Sequence, residues 1–220
     1  MASNSPSRVT TYIDGFNLYF GLKAAKYRRF YWLDLQALSQ NLIKPSQSLQ
    51  AVKFFTARIA GPRPGDSPRK TITLKDKRCR QTTYLDALLT LPLLTMYEGH
   101  YLSKPVICKR CQNQWSKHEE KMTDVNIATE LLLDAFADAF DTAIIISGDS
   151  DLTPPIKAVR QRFPGKRIVM AFPPNRRASQ LEQAADAYFT IDPAKLSKSQ
   201  LPAQVPLPNG HILQRPSLWK

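Results

Sequence analysis

The chain alternates between short runs rich in β-branched and aromatic residues and longer segments whose apolar positions recur every three or four residues. The first kind is typical of strands and the second of amphipathic helices. Strands are predicted at Arg8–Ile13, Ala51–Ala60, Thr95–Leu102, Ile144–Ile146, Lys166–Phe172 and Tyr188–Ile191. The clearest predicted helix is Thr123–Phe140. Strands that alternate with helices predict a mainly parallel central sheet in a three-layer α/β/α sandwich.

The most hydrophobic predicted strand is followed at once by acidic residues. Ile144–Ile146 leads into Ser-Gly-Asp-Ser-Asp at residues 147–151. A continuous apolar run closed by glycine is typical of a strand that is buried on both faces of a parallel sheet. Ligands of such sheets bind just beyond the carboxyl ends of the strands. Asp149 and Asp151 are therefore expected at a functional edge of the sheet.

Two more acids occupy the ends of other predicted elements. Asp14 directly follows the first strand, and Asp124 lies in the first turn of the strongest helix, after Thr123 as the expected N-cap. Each also has a structural explanation, as a turn residue before Gly15 or as a charge that stabilises a helix N-terminus. Carboxylates are preferred ligands of Mg²⁺ and Mn²⁺, which can activate water for attack on a phosphodiester.

The neighbours of these acids leave some roles open. Asn17 could position a phosphate or water in the pocket, or simply bond its own turn. Asp151 would most simply cap the following helix, but Pro154 would then be the third helical residue and would offer no N–H. Thr153 as the cap, with Pro154 at the first helical position, is the better arrangement. Asp151 is then available as a ligand or as support for one.

The charge balance indicates a polyanionic partner. The 220 residues include 31 Lys and Arg against 18 Asp and Glu, a net charge of +13. Such an excess commonly marks nucleic-acid binding. Residues 69–80 carry much of the positive charge and are predicted to form an exposed basic loop. Glu130, Asp134 and Asp138 recur at four-residue spacing opposite the apolar stripe, which predicts a solvated helix face.

The remaining composition predicts one cytoplasmic domain with a tail. No apolar stretch is long enough to span a membrane, and the start of the sequence does not resemble a signal peptide. A folded domain is predicted over residues 8–192. The segment 193–220 is rich in Pro, Ser, Gln and Lys and is predicted to be largely unstructured. Tyr12, Phe16, Tyr19 and Tyr27 could stack on bases, although packing in the core or between helices is the simpler explanation for most of them.

Cys108 and Cys111 have the spacing of a zinc knuckle. One such pair supplies two of the four ligands of a structural zinc site, and His100 and His118 are the nearest residues that could complete it. The sequence contains no second Cys pair, which favours a reduced pair in a surface hairpin. A structural Zn²⁺ is the alternative.

Three motifs resemble one known family. The segments YIDGFNLY at residues 12–19, EKMTDVNIATELL at 120–132 and IISGDSDLTPPIKAVR at 145–160 resemble the NYN domain, the LabA-like branch of the PIN-like nuclease superfamily. The resemblance extends over Arg8–Asp192 and implies a PIN-like fold, Mg²⁺ or Mn²⁺ bound by acidic residues, and cleavage of single-stranded RNA. It implies that the metal ligands are Asp14, Asp124 and Asp149, with Asp151 in the same cluster and Asn17 as the Asn of the motif.

These patterns predict a divalent-metal-dependent endoribonuclease that acts on single-stranded RNA. Two alternatives use the same features. The chain could be a catalytically inactive RNA-binding module, or a phosphohydrolase acting on small phosphoesters. The sequence does not specify an oligomeric state.

Overall fold

The chain is organised around a six-stranded sheet in which all neighbouring strands are parallel. The computed structural model describes residues 5–62, 64–107 and 109–219, without the side chains of residues 101–105 and 114–120. In chain order, the elements are β1 (Ser7–Asp14), α1 (Gly15–Ala24), α2 (Leu35–Leu42), β2 (Gln47–Thr56), α3 (Pro68–Leu88), β3 (Leu94–Glu98), β4 (His100–Ile107), β5 (Gln114–Lys121), α4 (Thr123–Phe136), β6 (Thr142–Ile146), α5 (Thr153–Arg162), β7 (Arg167–Phe172), α6 (Ser179–Ala184), β8 (Ala187–Thr190), α7 (Pro193–Lys198), β9 (Gln204–Pro206) and β10 (Ile212–Gln214).

The strand order of the sheet is β3-β2-β1-β6-β7-β8. From β1 the chain adds strands outward on one side, and from β6 it adds them outward on the other. The direction of winding therefore reverses between β1 and β6. In open parallel sheets this switch point leaves a crevice at the carboxyl ends of the two strands, where ligands bind.

Each face of the sheet has its own hydrophobic core. Residues of α1, α2 and α3 pack on one face, and residues of α4, α5 and α6 pack on the other. Strand β6 shows the alternation, because Ile144 and Ile146 belong to the first core and Ile145 to the second. The prediction of a three-layer α/β/α sandwich with a mainly parallel sheet is confirmed.

The segment after residue 192 differs from the prediction of a largely unstructured tail. It forms α7 and the β9–β10 hairpin, and its apolar side chains Leu196, Leu201, Val205 and Leu213 are buried in the first core. The indole Nε1 of Trp32 donates a hydrogen bond of 2.8 Å to the carbonyl oxygen of Pro202. The prediction was wrong because the apolar side chains of this segment pack on the core despite its Pro-rich composition.

The basic stretch at residues 69–80 is also different from its prediction, because it is helical. It lies in α3, where the Ser67 Oγ accepts a hydrogen bond from the Lys70 N–H and Pro68 occupies the first turn. The cap and the proline start the helix at the end of the preceding Pro- and Gly-rich stretch. Although α3 is long, no helix in the described part of the chain is both long and apolar enough to cross a membrane.

Strands β4 and β5 pair as an antiparallel hairpin. Cys108 lies outside the described residues, and Cys111 is exposed with a free thiol. The predicted zinc site therefore stays a prediction. His100 is exposed at the start of β4.

Two of the three acids predicted to form a solvated helix face instead meet a lysine from the sheet. The Lys53 ammonium on β2 lies 2.7 Å from Glu130 and 2.7 Å from Asp134. The Tyr97 hydroxyl donates to Glu130, and the Tyr12 hydroxyl donates to Asp134. Only Asp138 of the three predicted residues is largely exposed, at 74 % of its side chain. The four-residue spacing was ambiguous because the edge of an apolar stripe has the same period as the solvent face.

The Lys53 cluster predicts a large stability effect for one substitution. Lys53→Met should lower the free energy of unfolding by about 3 kcal/mol, because it leaves two partly buried carboxylates without their cation. Arg58→Met is the matched control, since the Arg58–Glu98 pair is 40 % and 42 % exposed and should contribute less than about 1 kcal/mol. Urea unfolding of both variants measures the difference. Equal losses would contradict this account of the cluster.

Candidate functional site

The register of β1 and β6 brings the two acidic motifs together. Ile13 on β1 is paired with Ile146 on β6, so the residues that follow, Asp14 and Ser147, lie side by side at the carboxyl edge of the sheet. The Ser147 Oγ donates a hydrogen bond of 2.9 Å to the Asp14 Oδ2. This edge is the switch point of the sheet, where a ligand site is expected.

A hydrogen-bond network fixes the positions of the acids. The Asn17 N–H donates to the Asp14 Oδ1 over 2.9 Å, so that Asp14 caps α1. The Asn17 Oδ1 in turn accepts from the Gly148 N–H over 3.0 Å. The Asp149 N–H donates to the Ser147 Oγ over 3.1 Å. Asn17 thus bonds both its own turn and the loop after β6.

Asp124 approaches the same place from α4. The helix begins at Thr123, and the residue before it, Met122, has a left-handed backbone with a φ of 78° and makes no side-chain cap. The expectation that Thr123 is the N-cap is therefore wrong. Met122, which connects β5 to α4, occupies the cap position, and Thr123 is the first helical residue. Asp124 still lies in the first turn, as predicted, and its side chain lines the pocket.

The pocket has a volume of about 220 Å³. Its lining contains the carboxylates of Asp14, Asp124 and Asp149, together with Asn17 and Arg176. The structure thus brings together four of the five residues that the sequence singled out for this site. We call this space the acidic pocket.

Asp151 is the fifth residue, and it lies outside the lining of the acidic pocket. It is exposed, and its N–H donates to the Asp149 Oδ1 over 3.1 Å in a short 3-10 turn that leads into α5. Thr153 is the first residue of α5 rather than its cap, because this turn already starts the helix. Pro154 is therefore the second helical residue and not the first, as was predicted, and in this first turn its missing N–H leaves no helical hydrogen bond unmade.

The pocket perturbs the ionisation of two of its acids. Burial raises the pKa of Asp14, which is 4 % exposed, while hydrogen bonds from Asn17 and Ser147 partly oppose the rise. Burial, reinforced by the negative charges of Asp149, Asp14 and Asp151, raises the pKa of Asp124 to about 6. Like charges are therefore held together here at a cost, which a bound cation would relieve. Such clusters are common at functional sites.

The chemistry of the lining fits a hard divalent cation. The acidic side chains of the lining are all carboxylates, and a carboxylate oxygen that accepts one hydrogen bond has further lone pairs for a metal ion. In the part of the chain described here, no three His, Cys, Asp or Glu side chains are close enough to surround one ion as they stand. Mg²⁺ commonly uses only one or two carboxylates and keeps several water ligands, which a pocket of this size can hold.

Two residues of the site were not found by sequence reasoning. Ser147 could have been identified, because it lies within the acidic motif directly after the apolar run. Its buried hydroxyl donates to the Asp14 carboxylate and accepts from the Asp149 N–H. Arg176 had no local signal, since it comes from the loop after β7. Its backbone passes so close to Gly148 that a Cβ there would lie 2.0 Å from the Arg176 carbonyl oxygen. The glycine is therefore required for close contact of the two loops.

The raised pKa of Asp124 predicts a pH-dependent stability change. In metal-free buffer, the charged carboxylate destabilises the fold, so wild-type stability falls as the pH rises from 3.8 through about 6. Asp124→Asn should therefore be more stable than wild type at about pH 8, by about 1–2 kcal/mol after allowance for solvent screening. Near about pH 4 the two proteins should be equally stable. Urea unfolding at both pH values measures this, and a gain of equal size at both would contradict it.

Comparison with known proteins identifies the family of the chain. The chain is 28 % identical to 6-hydroxy-3-succinoylpyridine 3-monooxygenase HspA of Pseudomonas putida, over 92 % of this chain and 73 % of that protein. The fold resembles the crystal structure of a protein of unknown function from Vibrio parahaemolyticus, with a TM-score of 0.53 and 18 % identity, over 91 % of this chain and 100 % of that one. Residues 8–192 match the NYN domain, so the chain belongs to the NYN domain family, whose fold is nuclease-like.

Proposed function

We propose that this protein is a divalent-metal-dependent endoribonuclease that cleaves single-stranded RNA. The observation that carries the proposal is the meeting of Asp14, Asp124 and Asp149, from three separate elements, in one pocket at the switch point of the sheet. Membership of a nuclease-like family and a net charge of +13 support a polyanionic substrate. The NYN resemblance supports RNA and the single-stranded form.

The residues in and beside the acidic pocket would have the following roles. Asp14, Asp124 and Asp149 would hold Mg²⁺ or Mn²⁺, and Asp151 would support Asp149 through the turn that they share. The ion would stabilise charge on the phosphate and supply an activated water. Asn17 and Ser147 hold Asp14 in a fixed orientation through their hydrogen bonds. The Arg176 guanidinium, on the pocket wall, is suited to bind a non-bridging phosphate oxygen.

One alternative is supported by a specific feature of the structure. A larger apolar cavity adjoins the acidic pocket, and the related Pseudomonas protein is named as a monooxygenase of a substituted pyridine. A small heteroaromatic acid is therefore the second candidate substrate. The inactive RNA-binding module and the small-phosphoester hydrolase use only features that the endoribonuclease also has.

A substrate panel tests the proposal. Purified protein with Mg²⁺ or Mn²⁺ is incubated with end-labelled single-stranded RNA, double-stranded RNA, single-stranded DNA and a chromogenic phosphoester. We expect internal cleavage of the single-stranded RNA. Binding without cleavage of any nucleic acid would indicate the inactive module, and hydrolysis of the phosphoester alone would indicate the phosphohydrolase.

A further inference from the structure

A second cavity lies beside the acidic pocket and shares a wall with it. It has a volume of about 510 Å³ and a mainly apolar lining. Phe16 and Phe20 of α1 line both spaces, so these two rings separate them. On the far side the wall is formed by Leu218 and Trp219, from the segment that follows the NYN match. We call this space the aromatic cavity.

The rings along the aromatic cavity form a continuous row. Phe16 lies 6.1 Å from Phe20, Phe20 lies 5.4 Å from Tyr19, and Tyr19 lies 5.1 Å from Tyr31. The row continues to Trp219, 5.9 Å from Tyr31. Tyr19 and Phe20 are 41 % and 40 % exposed, respectively. Exposed aromatic faces in a row are a common platform for the bases of single-stranded nucleic acids.

Positive charges accompany this row. Lys23 and Arg176 each lie 5.8 Å from the centre of the Phe20 ring. Lys77 and Arg80 of α3 also line the aromatic cavity. Among the described lining residues the only acid is Asp66, which is paired with Lys70 at 2.6 Å. The cavity is therefore apolar inside and positive at its margin, whereas the acidic pocket next to it is negative.

We propose that the aromatic cavity binds a base of the RNA strand, next to the phosphate that the acidic pocket holds. The proposal rests on the proposed function and names the part of the substrate that the neighbouring cavity recognises. The base stacks on Phe20 and Tyr19, and the adjoining phosphates contact Lys77 and Arg80. Trp219 closes the far end, so the C-terminal segment forms part of the substrate site.

A free aromatic acid is the competing occupant of this cavity. It would need one ring surface and one cation. The structure instead offers several rings in a row, two cations near the Phe20 ring, and a wall shared with a pocket suited to a metal and a phosphate. A strand of alternating bases and phosphates uses all of these features.

The test compares a single-stranded RNA oligonucleotide with an abasic strand of the same length and charge. Binding is measured by fluorescence anisotropy in EDTA, so that no cleavage is required. Phe20→Leu should weaken binding of the RNA by about tenfold, which corresponds to the loss of one stacked base, and should change binding of the abasic strand by less than about twofold. Tyr188→Leu is the matched control, because Tyr188 is similarly exposed but lies on β8, outside the cavity. It should leave both affinities unchanged.

Several outcomes would overturn the proposal. These are an equal effect of Phe20→Leu on both strands, no effect on either, or the same effect from Tyr188→Leu. A further experiment measures quenching of the Trp219 fluorescence by nicotinate, with Trp219→Phe to identify the signal of this residue. Quenching that RNA does not compete with would show that the cavity takes a free aromatic acid. If the wild type cleaved RNA but binding did not depend on a base at Phe20, only this inference would be overturned. Base-dependent binding without cleavage under any divalent metal would overturn only the proposed function.

Discussion

Replacing Asp149 with Asn should lower the rate of RNA cleavage by about 10³-fold while the protein stays folded. Asp149 lines the acidic pocket, and its backbone is anchored by hydrogen bonds that the substitution retains. Asparagine keeps the shape and one oxygen of the side chain but removes the charge that holds a divalent cation. Single-turnover cleavage of end-labelled RNA measures the rate, and thermal unfolding without metal checks the fold.

Two control variants are compared with Asp149→Asn in the same cleavage assay. Asp151→Asn should lower the rate by less than about tenfold, because Asp151 lies outside the pocket lining and acts only through its neighbours. Asp138→Asn should leave the rate unchanged, since Asp138 is exposed at the opposite edge of the sheet and has a left-handed φ of 52°, which asparagine tolerates. A loss of equal size in Asp149→Asn and Asp138→Asn would remove the acidic pocket from the mechanism.

The second large effect is expected in RNA binding. Neutralising Arg69, Lys77 and Arg80 of α3 together should weaken binding of single-stranded RNA by about ten- to a hundredfold at low salt. Each cation that contacts a phosphate contributes about 0.7 to the dependence of log affinity on log salt concentration. The slope should therefore become shallower by about 2. Anisotropy titrations over a range of salt concentrations measure both quantities.

A triple variant on other surfaces is the control for this effect. Lys157, Arg162 and Lys198 are exposed on α5 and α7, and their removal changes the net charge by the same amount. This variant should keep the salt dependence of the wild type. If both triple variants show the same change in slope, binding depends on net charge alone and α3 is not the RNA-binding surface.

The sheet and three of the acids could be predicted because their signals are local. Ile144–Ile146 is a continuous apolar run, and Asp14 and Asp149 follow strands directly. In a parallel sheet, carboxyl ends share one edge, so position along the sequence was enough to place both acids there. Asp124 was placed by its position in the first turn of the strongest helix. What the sequence did not provide was the order of the strands, which makes Asp14 and Ser147 neighbours.

The other features depend on contacts between distant parts of the chain. Arg176 enters the acidic pocket through a loop whose own sequence has no pattern of this kind. The aromatic cavity combines α1 and α3 with the last residues of the chain, which composition alone assigned to an unstructured tail. Lys53 could not be connected with Glu130 and Asp134 before the packing of α4 on the sheet was known.

The metal requirement of cleavage tests the central claim most directly. Wild-type protein treated with EDTA is given single-stranded RNA, and Mg²⁺ or Mn²⁺ is then added in increasing concentration. We predict no cleavage in EDTA, saturable recovery of internal cleavage with either ion, and no recovery in Asp149→Asn. Cleavage that persists in EDTA, or RNA that stays intact with both ions, would contradict a metal-dependent ribonuclease at Asp14, Asp124 and Asp149.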